Sequence, residues 1–508
     1  MTAAIPAPSR AHRFLHNFLW VALGQASVFV VNFLTVPYLV RRMGMEAYGL
    51  YILLHTAMSY LQVLSLGAGV ANIKFVSEFA AVGESGRLWQ ALRYSAVFHG
   101  CGVLLGGVAL AAYAPQLAMH VFRVPASLLD TAVFVLRCAA AGALFQSVFF
   151  FASTAMQGLH RFDLNAGITL LSSLLTPLVV VGAFWSGRGL KTAACGLVLV
   201  TAAVSMAAVA ITVRFLPVRG PRGGGDFTWR QFAALSLGMA PGPLAASFTS
   251  HFDKVLIAQA MPLSELTLYA IPAGMLQRLQ GLAAALSTML LPLLSEISRP
   301  EHEASLQRVY LKFTRTLLCL MLPALILLFA FMPQLLGLWL GQEFADRSVW
   351  PARVLVMANV FYLLTMGSNP TAISRNKGWY LSAMGWAQAV LCVLLWLYLI
   401  PRYRILGAAL GFFVAQAVSV TACLCVVHKR LLNLSWRRFA DEGLSHPFIC
   451  AAVMLAVVMP VHHLAVTWLH LAALSLAGLA AYCGCAWLLL PGDERAFIRG
   501  YLSWRPEV

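Results

Sequence analysis

The sequence predicts an all-α polytopic membrane protein. It expects about fourteen transmembrane helices in two pseudo-symmetric lobes around a central cavity, with both termini cytoplasmic. Three observations lead there: an apolar composition, a succession of bilayer-length apolar segments, and a one-sided distribution of basic loops. Of 508 residues, 60% are hydrophobic and 10% charged, against about 25% charged in soluble domains. Folded as a soluble globule, such a chain would leave large apolar areas facing water.

An apolar segment crosses about 30 Å of hydrocarbon at about 1.5 Å per helical residue. Segments that long fall at 17–39, 48–70, 94–115, 132–156, 165–184, 190–213, 232–258, 267–294, 311–334, 350–372, 380–400, 405–428, 446–462 and 465–488. The last two, separated by little more than His462 and His463, read as a tight hairpin or a re-entrant pair. Arg10 and Arg13 precede a first segment long enough to span, so it is expected to be an uncleaved anchor.

Lysine and arginine placement fixes the expected orientation. With the amino terminus inside, 23 of the 35 basic residues fall in cytoplasmic loops and nine in outer loops, with Arg137, Lys254 and Arg278 inside spans. The net charge of +17 is therefore spread over short loops and makes no basic domain for nucleic acid. The ten cysteines include no CxxC pair and read as small packing residues, so no metal site is expected.

The expected organisation is a cytoplasmic tail at 1–16, a six-helix lobe at 17–213, a joint at 214–231, a second six-helix lobe at 232–428, a basic loop with two appended helices at 429–488, and a tail at 489–508. The joint contains Pro217, Pro221 and Gly223 to Gly225, a turn-rich composition. A weak echo supports the division: Met45, Glu46 and Tyr48 open one span as Leu263, Glu265 and Tyr269 open another. Between Asn72 and Arg93, charges alternate with Phe75, Val76, Phe79 and Leu88, the pattern of an interfacial amphipathic stretch.

Arg278, near the middle of the eighth span, carries the site reading. A cation at that depth is costly and is retained for a purpose, which points to a cavity that handles something anionic. Gly274, Gln277, Gly281, Ala284, Ala285 and Thr288 share its small and polar face, with Leu276, Leu279, Leu286 and Leu290 largely opposite. The alternative is an arginine paired to a carboxylate for packing. Lys254 and Arg137 join Gln277 and Arg278 as candidate cavity residues. Asp253, a carboxylate within a span, is the candidate for proton or sodium coupling. The alternatives are a structural ion pair, with Arg278 or a helix of the other lobe as partner, and an interfacial anchor; it need not pair with its neighbour Lys254. Lys74 and Arg93 are placed to capture a phosphate headgroup from the cytoplasmic side. Pro241, Gly242 and Pro243 are expected to bend the seventh span. There is no Walker A, HExxH or GxSxG motif, so no enzyme is expected, and transport must draw on an ion gradient, the membrane potential or the cargo gradient.

The run from Val36 to Tyr51, then Leu64-Ser-Leu-Gly67 and Lys74-Phe-Val-Ser-Glu78, resembles the opening of oligosaccharide flippases. These form the Wzx-like branch of the multidrug/oligosaccharidyl-lipid/polysaccharide exporter superfamily. Gln157 to Asp163, Phe252 to Ile257, Tyr269 and Leu291 to Glu296 are similar to later motifs of the same group. The resemblance implies an inner-membrane flippase for a polyprenyl-pyrophosphate-linked oligosaccharide in surface polysaccharide biosynthesis. It implies two lobes that alternate between inward-open and outward-open states, with Arg278 as the pyrophosphate or acidic-sugar contact. Expected partners are the lipid-linked oligosaccharide, membrane lipids, and the polymerase and chain-length components of a polysaccharide machine; the protein itself is expected to act as a monomer without cofactors. The rival readings are a cation-coupled multidrug exporter, a peptidoglycan-precursor flippase, and a non-transporting scaffold of a polysaccharide machine.

Overall fold

In a computed structural model, residues 29–216, 227–296, 303–375 and 377–489 are described. The expected tails and most of the 214–231 joint lie outside them. The described chain is α-helical, with nine helices long and apolar enough to cross a membrane, or up to eleven if two bent pairs each count as one span. It packs as two compact units, an N-terminal one of residues 29–271 with 382–412 and a C-terminal one of residues 272–381 with 413–489.

The N-terminal unit is built around the helix Ala126–Gly158. Its buried face carries Ala132, Ala139, Ala140, Gly142, Ala143, Ser147 and Ala152, residues small enough to let neighbouring backbones approach. Polar side chains of four neighbouring helices lie along it. Gln62 and Ser205 donate to the carbonyls of Ala143 and Phe145 at 2.7 and 2.6 Å, Asn72 to Thr154 Oγ1 at 2.8 Å, and Ser147 itself donates to the His99 carbonyl at 2.7 Å. Hydrocarbon offers these groups no partner, so each finds one inside the bundle.

The second expected span is a bent pair, Met45–Val63 and Ala68–Val82, meeting at 54°. The bend sits at Gly67, whose φ of 75° is open to glycine and strained for other residues. Beyond it the amphipathic pattern holds: Phe75, Val76, Phe79 and Leu88 are buried with Phe227 and Phe232, while Lys74 and Glu78 are exposed. The expected bend at Pro241 is also present, with Trp229–Met239 and Pro241–Ala260 meeting at 40°.

Residues 378–426 run as one helical element, but Arg404 (φ 54°, ψ −135°) breaks it after Pro401. Trp396 Nε1 donates to the Ala408 carbonyl at 2.9 Å, and a Cβ on Gly407 would strike the Leu399 carbonyl. In a straight helix residues eight apart lie about 12 Å from each other. The chain therefore doubles back at Arg404, where the sequence places the turn between 380–400 and 405–428.

The C-terminal unit centres on Glu303–Leu340, packed by Gln342–Leu364, Ser445–Val458 and Trp468–Leu489. The final pair forms a hairpin in which Gly478 admits Val458 and Met454. The helix Leu263–Glu296 has 34 residues. Gln277, Arg278 and Gln280 lie near its middle.

The Gly67 bend gives a direct test. A Cβ there would meet the Ser236 carbonyl and, at 2.9 Å, the amide nitrogen of Ala240, on top of the backbone strain. Gly67→Ala should destabilise by about 1–3 kcal/mol, seen as a lower unfolding midpoint in detergent. Gly238→Ala, where a Cβ meets open space, should leave the midpoint unchanged or raise it.

Candidate functional site

At 100° per residue, the buried residues Leu276, Ala283, Ser287, Leu290 and Leu294 fall within about 60° of one another on the Leu263–Glu296 helix. They face the C-terminal unit, and the Ser287 hydroxyl donates to the Met366 carbonyl at 2.5 Å. Arg278 lies about 160° from Leu276 on this wheel. It and Gln277 are exposed, with the half-buried Gly274, Gly281 and Ala285 on the same side. A Cβ on Gly274 would meet nothing within 4 Å. Such a face of glycine, alanine, glutamine and arginine is unlike the leucine and phenylalanine that lipid selects. Among the described residues Arg278 makes no ion pair, so its charge is not consumed by packing. On the buried side of the helix, a small cavity is lined by Leu279, Gln280, Met321, Leu325, Asn359 and Leu363.

Asp253 and Lys254 are arranged in the opposite way. Both are buried, at 5% and 6% exposure, and they pair with each other, Nζ to Oδ1 at 3.5 Å. The same Oδ1 accepts the Lys254 backbone N–H at 2.7 Å, and the Tyr269 hydroxyl donates to Oδ2 at 2.8 Å. Lys254 Nζ also donates to the Ser250 carbonyl at 2.5 Å. The expectation that Asp253 looks to Arg278 or a distant helix is thus replaced by a local closed cluster. Sequence spacing misses it because a lysine is long enough to curl back onto its neighbour. Tyr60 and His251 flank the cluster in an edge-on ring contact at 5.9 Å, and the Tyr60 hydroxyl and His251 Nδ1 have no hydrogen-bond partner among the described residues.

Arg137 is exposed on Ala126–Gly158 and makes no ion pair among the described residues. Lys74 is exposed with its ammonium 5.2 Å from the Phe75 ring centre, and Arg93 is exposed on the following helix. Sequence reasoning overlooks a second buried carboxylate. Glu265 is 4% exposed and accepts from Arg404 Nη2 at 2.9 Å, which ties the strained hairpin to the start of the Leu263–Glu296 helix. Its position three residues after Pro262, in a first helical turn, disguised it as an ordinary N-terminal acidic residue. No group of three or more His, Cys, Asp or Glu among the described residues is placed to hold a metal.

Residues 39–349 match the family described as polysaccharide biosynthesis protein. No curated protein matches the chain in sequence. In structure it is similar to a lipid II flippase, MurJ, in an inward closed conformation: TM-score 0.72, 12% identity, 95% of this chain and 100% of that one. It is also similar to an inward-facing multidrug resistance MATE family transporter of the MOP superfamily, with TM-score 0.59, 15% identity, and coverage of 80% and 98%. A MOP superfamily transporter from Pyrococcus furiosus, whose binding pocket is described as reversed in polarity, gives TM-score 0.54 and 15% identity over 82% of this chain and 96% of that one.

The Asp253 cluster predicts non-additive stability. Lys254→Met leaves a buried carboxylate without its cation and should cost about 3 kcal/mol or more. Adding Asp253→Asn should recover part of that loss, since the uncompensated charge is gone. Thermal unfolding of the single and double variants in detergent measures both; equal midpoints for all three variants and wild type would contradict the pairing.

Proposed function

We propose that this chain, which belongs to the polysaccharide biosynthesis protein family and has the fold of MOP superfamily transporters, is an alternating-access flippase for a lipid-linked glycan. The observation that carries the reading is Arg278, a guanidinium that is exposed and makes no ion pair among the described residues, on a small, polar helix face. We infer fourteen spans, both ends cytoplasmic, and two lobes around a central cavity. The doubling back at Arg404, the 34-residue helix carrying Arg278 and the helix at 29–43 support that count.

The lipid tail stays in hydrocarbon throughout, so only the saccharide and its phosphates need a wet passage. Arg278 offers oriented donors to those phosphate oxygens. Gln277 and the open side of Gly274 leave room for a bulky headgroup beside it. Arg137 is placed as a second cationic contact, and Lys74 and Arg93 as headgroup capture residues. Lys254 is spent on Asp253, which makes it a poor cargo contact. The carboxylate in turn is neutralised by Lys254 and Tyr269, so proton or sodium binding there has to displace a resident cation. We therefore assign the pair to holding the bent helix in shape.

Two cargoes share this chemistry. The family description supports an oligosaccharide for polysaccharide assembly, handed on to polymerase and chain-length components. The fold likeness to a lipid II flippase, which spans all of that chain, favours a peptidoglycan precursor. The multidrug reading draws on fold likeness alone, and a cavity marked by an unpaired cation suits organic cations poorly.

Reconstituted protein should move a polyprenyl-pyrophosphate saccharide across vesicles. Losing a charged hydrogen-bond donor should slow crossing about tenfold or more in Arg278→Ala, with partial rescue in Arg278→Lys. Unchanged crossing in Arg278→Ala would remove the assigned role. Supplying an undecaprenyl-linked oligosaccharide and lipid II in parallel discriminates the cargoes by relative rate.

A further inference from the structure

At one end of the C-terminal unit, the short helix Ser368–Ser374 packs against the turn Val427–Leu431, and Ala372, Leu381 and Leu431 share one apolar cluster. That packing gathers four basic residues, Arg375, Lys377, Lys429 and Arg430. None of them meets a carboxylate among the described residues. Lys377, Lys429 and Arg430 are exposed, as expected of charges in water. Arg375 is different. Its Nε and Nη2 are shielded from solvent and have no acceptor among the described residues. Shielded guanidinium donors without an acceptor are unfavourable, and three like charges nearby make them more so.

The aromatic residues at this end show what surrounds it. Trp379 is 61% exposed and stacks on Tyr380, with ring centres 3.8 Å and planes 23° apart. The Tyr380 hydroxyl accepts from Arg430 Nη1 at 3.4 Å. An exposed tryptophan and a half-buried tyrosine beside lysine and arginine mark the level of lipid headgroups. Simple interfacial anchoring accounts for the exposed side chains but leaves the shielded donors of Arg375 unexplained. A tetrahedral phosphate accounts for both, because its oxygens accept from a guanidinium edge while its charge offsets the cluster.

We propose that Arg375, with Lys377, Tyr380 and Arg430, forms a phosphate site that holds the headgroup of an anionic membrane lipid. The site is separate from Arg278 and stands whatever the cargo is. Trp379 lies where the glycerol and upper acyl region of such a lipid would pack.

The test uses full-length protein in phosphatidylcholine nanodiscs containing phosphatidylglycerol, with retained lipid counted by native mass spectrometry. Wild type should keep phosphatidylglycerol in preference to phosphatidylcholine. Arg375→Gln should weaken that retention about tenfold, and Arg437→Gln, a fully surface cation elsewhere, should not. Because Arg375 is partly buried, Lys377→Gln with Arg430→Gln provides a second, exposed variant that should also lose retention while keeping the wild-type unfolding midpoint. Equal retention in wild type and both variants would overturn the site. Release of the lipid by inorganic phosphate at low concentration would overturn the lipid as ligand and assign the site to free phosphate.

Discussion

Hydrocarbon supplies no hydrogen-bond partner, and many of the described polar groups are placed under that constraint. The central helix of the N-terminal unit shows its structural consequence. Its small residues let four neighbours come close, and at that range Gln62, Asn72 and Ser205 reach its backbone or hydroxyl oxygens. Asp253, Lys254 and Tyr269 show the same rule applied to charge, with both carboxylate oxygens occupied. Arg278 departs from the rule. An unpaired cation on a glycine-rich, exposed face is stable only where water or an anion reaches it, so the rule that organises the bundle also singles out this position.

The same constraint governs where the helices bend. Breaking a helix frees backbone groups that must be satisfied again. At Gly67 this is done at close range, with the Ser236 hydroxyl donating to the Leu66 carbonyl at 2.7 Å. At Arg404 the guanidinium reaches from the strained turn to the buried Glu265. Glu265 belongs to the first turn of the long helix whose later turns carry Arg278, and Thr267, one turn on from Leu263, donates to the Met45 carbonyl at 2.6 Å. The base of the arginine-bearing helix is therefore pinned by a carboxylate and a hydroxyl, both inside the N-terminal unit.

Much of this was legible in the sequence because hydropathy and helical periodicity act through short range. The all-α, membrane-spanning character, the bend at Pro241 and the turn near Arg404 follow from segment length and proline or basic breaks. The split of Arg278 from Leu276 and Leu290 follows from 100° per residue. What the sequence hid depends on side-chain reach and long-range pairing. Lys254 curling onto Asp253 contradicts the simple view that adjacent helical residues diverge. Tyr269 arrives from sixteen residues away, and Glu265 meets Arg404 across 139 residues. The bend at Gly67 was also hidden, since a single glycine inside an apolar run reads equally as packing.

Cargo release sets the last limit on the site. A cage of several unpaired arginines would hold a pyrophosphate tightly, and each additional charged hydrogen bond of about 1.5–3 kcal/mol would slow departure roughly tenfold or more. A flippase must let go on the far side at a useful rate, so strong holding works against it. On the proposed reading, one exposed guanidinium with small residues around it would recognise the phosphates without trapping them, and the sparse cation count favours turnover over affinity.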